Sequence, residues 1–588
     1  MAAKKQSDPK SIINCHTHIF TGDHVPPFLA RSILPWPLYY LFPVTLVIAG
    51  FRFYYRTIGD WRFMPWYKRL IHLRQQINSF IKRYGIVQML YLLIGGFLTI
   101  SVFFVVFDAI TAISAAPSGI STKVENFRQF LDNRQLLYIP QSGWGKLLLT
   151  FLVFLFFKPG RNLLFFLLEG IWSFLKVIPG KEGNALLQRY INLGRFSFYK
   201  TQSRIFGRLQ NQYPEGTGFV VLPMDMAYMG AGKPKVPYAQ QMEELAGIKA
   251  QKKHQNDFFP FVFVEPRRMV EEGKIQFDYE VLDGKVQLKD CFIKTYLETH
   301  KFNGIKIYPA LGYYPFEEVL LPLWKYAADH QIPILTHCIK GSIYYRGRKL
   351  RAWDQHPIFE QSMGRGQYQP LQLPQLANNK YSLNFTHPLN YLCLLEEQLL
   401  RRLVAKAKDD RIRELFGFVD ADTPMASNLS HLKLCFGHFG GDDQWARFYE
   451  RDRDNWSSQL IRNPDRGVSF YTVSDNQLSP GKLEQIWRYA DWYTIICSMM
   501  LQYPNIYGDL SYIIHNPDIE PLLKQTLSNA SLRDRVLFGT DFYVVRNHKS
   551  EKNMLGDVLS YLSPTSMDQI ARNNPSVFLQ TDLQEPIA

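Results

Sequence analysis

The sequence lacks the patterns by which several large classes of protein are recognised. Its six cysteines are scattered without a CxxC pair, which argues against a disulfide framework or a structural zinc knuckle and fits a reducing compartment. No GxGxxG or GxxxxGK pattern occurs, so no phosphate-binding loop is predicted. No apolar stretch precedes residue 11, so no cleaved signal peptide is expected.

Positive charge is in excess. The chain has 67 Lys and Arg against 52 Asp and Glu, a net charge of +15, which is typical of proteins that bind nucleic acid or anionic membranes. Much of the excess lies in 52–83 and 181–208, beside strongly apolar segments. That location favours anionic lipid headgroups. Since the sequence carries no nucleic-acid motif, we expect membrane lipid and no nucleic acid as a partner.

Two long apolar segments predict membrane spans. Residues 86–113 carry a single charge, Asp108, and about 20 apolar residues suffice to cross a bilayer core. A second apolar block around 147–172 is interrupted by Lys158-Pro-Gly-Arg161. We predict two spans at these places, with 36–56 in the interface. Four spans, or buried helices of a soluble protein, are the alternatives.

The distribution of Lys and Arg predicts an orientation for these spans. The segments 52–83 and 181–208 are basic, whereas the connection 114–145 is only weakly charged. By the positive-inside rule both basic segments face the cytoplasm and the connection faces outward. The sequence therefore predicts a membrane protein with its remaining domain on the cytoplasmic side.

From about residue 217 onward, short apolar runs alternate with amphipathic stretches such as 316–330 and 482–502. This alternation predicts a parallel sheet. Together with the run that ends in His16-Thr-His18, the apolar runs number eight, which is the number of strands that closes a (β/α)8 barrel of the α/β class. A stretch rich in Gln and Pro, 360–380, predicts a long loop over one end of the barrel. The seven later runs lie at 218–224, 258–264, 304–308, 332–337, 432–438, 505–510 and 535–541.

The predicted domain organisation follows from these segments. Residues 1–34 supply the first strand, 35–210 form an apolar helical insertion between strands 1 and 2, and 211–588 form the remainder of the barrel. If both flanks of the insertion belong to one domain, the chain must cross the membrane an even number of times.

Four of the eight runs end in residues that bind metals. His16 and His18 lie two apart on the first run and face the same way, because side chains alternate along a strand. His337, His438 and Asp541 end the fifth, sixth and eighth runs. In such barrels the active site forms at the carboxyl ends of the strands. Histidines with a carboxylate suit zinc or a similar divalent ion, with a position left open for water.

In these motifs the sequence resembles the amidohydrolase superfamily, in the branch that includes aminocarboxymuconate semialdehyde decarboxylase and related metal-dependent hydrolases. The resemblance covers residues 11–20 and about 217–545 in the order that the family has. Two features depart from the family pattern: the apolar insertion and the long stretch 339–431. The matching motifs are His16-Thr-His18, the strand-end His337, Cys435-Phe-Gly-His438-Phe-Gly-Gly and Phe538-Gly-Thr-Asp541.

The resemblance implies roles for these residues. His16, His18, His337 and Asp541 would hold one divalent metal ion, with zinc favoured. His438 would orient or polarise the substrate or assist proton transfer. A bound divalent ion lowers the pKa of its water, and an adjacent carboxylate can take that proton, so Asp541 would be a catalytic residue as well as a ligand.

Further candidates flank the strand ends. Lys306 alternates with two isoleucines that would face the outer helices, so it points inward. In some superfamily members a lysine at this place is carbamylated and bridges two metals, but we favour a contact with an anionic substrate. Arg267 and His387 are further candidate substrate contacts. Asp225 and Asp509 end or flank strands, as supports of the site or as loop caps.

The sequence therefore predicts a membrane-anchored, metal-dependent hydrolase that acts on a small-molecule substrate. A metal-activated water would attack an amide, ester or lactone carbon. Two alternatives are open: a metal-dependent non-oxidative decarboxylase of an aromatic or unsaturated carboxylic acid, and an inactive barrel that serves as a membrane-associated binding protein. The patterns identify neither the substrate nor the oligomeric state.

Overall fold

The fold is taken from a computed structural model, which divides the chain into two compact units. One unit comprises Met1–Arg52 together with Leu186–Ala588, and the other is Phe53–Ala185. The structure describes residues 11–32, 36–41, 43–50, 65–113, 118–156, 190, 194, 196, 199–282, 284–341, 343–450, 455–471 and 478–581.

Eight parallel strands form the centre of the first unit, and each is hydrogen-bonded to the next in chain order. This confirms the predicted α/β architecture and every predicted strand position. The strands are β1 Ile13–Thr17, β2 Gly218–Val221, β3 Phe258–Phe263, β4 Gly304–Ile307, β5 Ile334–His337, β6 Leu434–Gly437, β7 Ile506–Asp509 and β8 Val536–Leu537.

The sheet closes on itself between β8 and β1. The backbone N–H of Cys15 donates to the carbonyl of Phe538 at 2.8 Å, and that of Asp541 donates to the carbonyl of His16 at 2.9 Å. An isolated parallel bridge joins Thr17 to Phe542. The result is a nearly closed barrel in which the first and last strands support each other.

The strands form from near-continuous apolar runs, as expected for parallel strands that are buried on both faces. β3, with the sequence FFPFVF, is buried at every residue. Side chains that point inward fill the barrel with a compact apolar cluster, so the interior is a packed core. Members of this cluster include Ile13, Cys15, Val220, Phe261, Leu335, Cys435 and Leu537.

Helices surround the strands, with amphipathic faces that bury their apolar side chains against the barrel. The longer ones are Gln202–Gln210, Tyr238–Lys249, Pro266–Glu272, Leu321–Asp329, Glu397–Ala405, Asp410–Phe416, Asp442–Arg447, Trp456–Arg462, Pro480–Tyr489, Trp492–Gln502, Glu520–Ser528, Glu551–Tyr561 and Asn574–Leu579. Shorter ones are Phe292–Lys294, Asn378–Tyr381, Leu383–Thr386, Leu392–Leu395, Ala530–Arg533 and Pro564–Asp568.

Two local predictions were wrong. The stretch 482–502 is two helices, because the Asp491 carboxylate accepts a hydrogen bond from the backbone of Thr494 at 2.7 Å and starts a new helix. The predicted loop at 360–380 contains an antiparallel hairpin, Gln355–Gly364 with Gln367–Gln372. Its turn has positive φ angles at residues 364–366, which the two glycines there permit.

The second unit contains four described helices, Pro65–Arg83, Gly85–Ile113, Ser118–Asp132 and Gly143–Phe156. Within the described residues, one stretch, Gly85–Ala109, is long and apolar enough to cross a membrane. It coincides with the first predicted span. The second predicted span, 147–172, lies largely outside the described residues.

The few polar side chains in and near this apolar stretch are paired. The hydroxyls of Thr99 and Ser101 donate to carbonyls one turn earlier, at 2.7 and 2.9 Å. Asp108, the one charge of the segment, pairs with Arg128 of the following helix at 3.1 Å. These bonds give the polar groups partners within an otherwise apolar segment.

Candidate metal centre

Five side chains from four strand ends converge inside the mouth of the barrel. Nε2 of His18 lies 3.3 Å and Nε2 of His16 lies 3.8 Å from the Asp541 carboxylate. Nε2 of His438 lies 3.1 Å from Nδ1 of His337. All five side chains are buried. The structure thus brings together all five residues predicted as ligands or catalytic groups.

The tightest group within this cluster is His16, His438 and Asp541. Each offers one ligand atom, and the three atoms lie within 4.8 Å of one another. His438 therefore lies among the candidate ligands, whereas the sequence prediction gives it only a helper role.

Hydrogen bonds on the far side of three imidazole rings fix where their protons lie. Nδ1 of His16 faces a carboxylate oxygen of Asp509 at 2.9 Å, and Nδ1 of His18 faces the carbonyl of Leu222 at 2.8 Å. Nδ1 of His438 lies 2.9 Å from the hydroxyl and 3.2 Å from the carbonyl of Ser511. Because these partners accept, each Nδ1 carries the proton and each Nε2 presents a lone pair to the cluster.

The site fits a metal ion by the chemistry of its donors. Nε2 of His16 and Nε2 of His337 are buried and have no hydrogen-bond partner among the described residues, which is costly unless something else satisfies them. Burial holds the pKa of His16, His337 and His438 well below the ordinary value. The rings are therefore neutral, which is the form that binds metal.

The carboxylate of the cluster has opposing influences on its pKa. Burial raises the pKa of Asp541, while the hydrogen bond and charge of His18 act in the opposite direction. A buried carboxylate with a raised pKa is a stronger base than an exposed one, which suits proton transfer.

Asp509 supports the cluster from the end of β7. One of its oxygens accepts from the backbone N–H groups of His438 and Ser511, both at 3.0 Å, and from the Ser511 hydroxyl. The other faces His16. Asp509 therefore positions two imidazoles at once. The sequence signal is its place at a strand end, like the predicted ligands.

The backbone around the cluster is unusual. His438, Phe439, Tyr512 and Asp541 have φ angles of 64°, 44°, 63° and 63°, a region that residues with a Cβ rarely adopt. All four lie within four residues after the end of strand β6, β7 or β8. Such conformations cost free energy and persist where the surrounding structure enforces them, which is common at functional sites.

Lys306 lies on β4 in the barrel interior. Its Nζ is buried, has no hydrogen-bond partner among the described residues and lies 5.9 Å from the centre of the Tyr308 ring. Burial lowers its pKa to about 8, opposed by the negative charges of Asp509 and Asp541. Lys306 is therefore an unpaired amine close to the carboxylates of the site.

The other two candidate substrate contacts have partners of their own. The Arg267 guanidinium forms a two-pronged ion pair with Glu265, at 2.6 and 2.9 Å, and donates to the carbonyl of Leu311. His387 stacks on Trp487 with ring centres 3.9 Å apart, and burial lowers its pKa to about 3. Their described partners lie outside the imidazole cluster.

A separate cavity of about 380 Å³ opens among the loops that follow β1, β2 and β3. Its lining includes His24, Asp225, Tyr228 and Arg268, but none of the five clustered residues. Asp225 pairs with Arg268 at 2.6 Å and accepts from the backbone of Ala227 at 3.1 Å. Asp225 is thus a loop cap and ion-pair partner.

The chain is similar to solved structures of two enzymes. One is a 4-oxalomesaconate hydratase from Rhodopseudomonas palustris, with 12% identity, a TM-score of 0.31 and coverage of 64% of this chain and 80% of that one. The other is an amidohydrolase from Mycobacterium avium subsp. paratuberculosis, with 12% identity, a TM-score of 0.28 and coverage of 65% and 74%. No family model and no curated protein matches the chain.

Proposed function

We propose that this protein is a metal-dependent hydrolase of the amidohydrolase type, with a barrel anchored to a membrane. The convergence of four imidazoles and a carboxylate on one buried point carries the proposal. Hydrogen bonds hold the proton of three of those rings on the outer nitrogen. Metal ligands need such orienting bonds, whereas side chains that only pack in an apolar core do not.

Zinc is the favoured ion, since it prefers imidazole and carboxylate ligands. His16, His18 and Asp541 would hold it. His337 and His438 compete for the fourth place, because their facing nitrogens are only 3.1 Å apart. A divalent ion in such a site polarises a carbonyl group and lowers the pKa of water.

The protein groups then divide the remaining work. A carboxylate oxygen of Asp541 accepts the proton of the attacking water, which its raised pKa favours. If His438 is the ligand, His337 can donate a hydrogen bond to the substrate. If His337 is the ligand, His438 keeps its proton on Nδ1 and can accept a hydrogen bond through Nε2. Amides, esters and lactones are the substrates that this arrangement suits.

Decarboxylation of an aromatic or unsaturated acid is the second candidate, and Lys306 favours it. Its buried amine has no hydrogen-bond partner among the described residues, and it could bind a substrate carboxylate. The amine would then hold the group that leaves as carbon dioxide, with Asp541 serving as a ligand.

Metal analysis of the purified protein tests the catalytic proposal. We expect about one equivalent of tightly bound divalent ion, loss of that ion in His16→Ala, and retention in His300→Ala, whose side chain is exposed. Less than about 0.2 equivalents, unchanged by His16→Ala, would overturn both enzymatic functions and leave the inactive binding protein. Screening esters and lactones against aromatic acids separates hydrolysis from decarboxylation.

The apolar stretch Gly85–Ala109 supports the proposed membrane anchoring, and the connectivity of the barrel constrains its topology. β1 pairs directly with β2, although the whole second unit lies between them in sequence. Both ends of that unit must therefore return to the same side of a membrane. If Gly85–Ala109 crosses once, a second crossing is needed, and the apolar helix Gly143–Phe156 overlaps the second predicted span.

A reporter fused at residue 130 tests this topology. The excess of Lys and Arg in 52–83 and 181–208 predicts that residue 130 lies outside the cytoplasm and the barrel inside. A cytoplasmic signal at residue 130 would contradict the two-span arrangement.

A further inference from the structure

The helix Pro65–Arg83 directly precedes the apolar helix and carries charges of one sign only. Its sequence, PWYKRLIHLRQQINSFIKR, contains five Lys and Arg and neither Asp nor Glu. Over the wider segment 52–83 the chain has eight basic residues and one acidic residue, Asp60. The helix is therefore strongly cationic.

The same helix presents an apolar stripe to the outside. Leu70, Leu73, Ile77 and Phe80, followed by Tyr84, recur at spacings of three and four, which places them on one helical face. Their side chains are between 49% and 54% exposed. Five large exposed side chains in a row form a contiguous apolar patch, which is unusual on a surface that only water touches.

We propose that this helix docks on an anionic lipid surface, with the apolar stripe at the acyl boundary and the Lys and Arg side chains among the headgroups. This inference rests on the membrane anchoring proposed above and names the lipid that the anchor recognises. A basic amphipathic helix is the established physical solution for lying in a membrane interface.

The charge of the helix favours lipid over a second copy of this chain as the occupant. Pairing two copies along the stripe would bring together two helices that each carry five Lys and Arg and no acidic residue, and like charges repel. Anionic headgroups supply the opposite sign. The stripe also ends at Tyr84, which directly precedes the apolar helix Gly85–Ile113 in sequence.

Spin labels on full-length protein in vesicles test the proposal. Ile77→Cys reports the stripe, Ser79→Cys the opposite face, and Leu93→Cys the proposed span. With about 30% phosphatidylserine, we expect the label at 77 to be accessible to oxygen and shielded from a water-soluble nickel complex. In pure phosphatidylcholine it should be water-exposed, and the label at 79 should be water-exposed in both lipids.

The outcomes separate this inference from the anchoring on which it rests. A label at 93 that is exposed to water refutes the span itself. If the label at 93 is immersed, docking of the helix Pro65–Arg83 on anionic lipid is overturned by any of three results for the label at 77. These are exposure to water in both lipids, equal immersion in both lipids, and a spectrum broadened by a label on a neighbouring copy.

Charge removal gives an independent measurement. Each basic side chain contributes about a factor of five to binding an anionic surface, so Lys82→Gln with Arg83→Gln should shift the docking equilibrium about 25-fold. The anionic fraction needed for half-immersion of the label at 77 then rises. The matched control, Lys274→Gln with Lys285→Gln, removes two exposed charges from the barrel and should leave that fraction unchanged. An equal shift in both variants would contradict docking by this helix.

Discussion

Asp509→Asn tests whether the Asp509 carboxylate keeps His16 of the candidate metal centre in the tautomer that can bind a metal ion. In the wild type, one Asp509 oxygen accepts from two backbone N–H groups and the other faces Nδ1 of His16 at 2.9 Å. Asparagine keeps an oxygen for the backbone donors and therefore turns its NH₂ group toward His16. An NH₂ group donates, so Nδ1 must accept and the His16 proton moves to Nε2. A protonated Nε2 cannot bind a metal.

The expected magnitude follows from the role of such supporting groups. Loss of a partner that orients a metal-binding histidine costs about 10- to 100-fold in affinity, or about 1.4 to 2.7 kcal/mol. Competition against a chelator of known zinc affinity measures this directly and needs no knowledge of the substrate. ¹⁵N spectra of the histidines report the His16 tautomer in the same samples.

Asp225→Asn is the matched control, since Asp225 is also buried but bonds Arg268 and Ala227. It should leave zinc affinity unchanged even if it lowers stability. This role of Asp509 is refuted if Asp509→Asn binds zinc within about twofold of the wild type while His16→Ala does not bind. It is also refuted if the variant loses affinity with the His16 proton still on Nδ1.

Three further substitutions probe the surroundings of the site. Burial raises the pKa of Glu551 to about 7 from 4.5. The free energy of unfolding should therefore fall by about 3 kcal/mol as pH rises from 4.5 to 7. Glu551→Gln should remove this pH dependence in thermal unfolding, and an unchanged dependence would show that Glu551 is not its source. Gly341→Ala would place a Cβ 2.7 Å from Nε2 of His337, so the ring must move. Chelator competition should then show weaker zinc binding. An affinity equal to that of the wild type would mean that the loop around residue 341 moves and the ring does not. Asp491→Ala removes the cap that binds Thr494 and should cost about 1 kcal/mol in the same unfolding assay, and an unchanged unfolding temperature would show that the cap is dispensable.

The barrel could be predicted from sequence because its strands are buried on both faces and read as continuous apolar runs. β3 and β6 were located to within a residue or two for that reason. The hairpin at 355–372 was not predicted because it is largely exposed and rich in Gln. Its sequence therefore shows neither the apolar alternation nor the run of β-branched residues that indicates a strand. The break at Asp491 escaped because apolar spacing continues across it and only the cap interrupts the helix.

The candidate ligands could be predicted because they sit where parallel strands end, and closure of the sheet brings those ends together. The groups that orient these ligands could not be predicted from the sequence. Asp509 gains its role from a contact with His16 across 493 residues, and no local pattern records such a contact. The same applies to His438, whose place among the ligands depends on a positive φ angle.

The insertion between β1 and β2 makes the metal centre depend on how firmly β1 is held. β1 carries His16 and His18, yet the next strand follows only after the whole second unit. A buried network secures it: the Asn14 amide donates to Thr540 at 2.8 Å and to Tyr213 at 2.9 Å, and Tyr213 donates to Glu551 at 2.6 Å. Tyr213 belongs to the segment by which the chain re-enters the barrel, and Thr540 precedes Asp541. A force on the insertion that displaced β1 would therefore separate two candidate ligands from a third, so the network links the insertion to the integrity of the site.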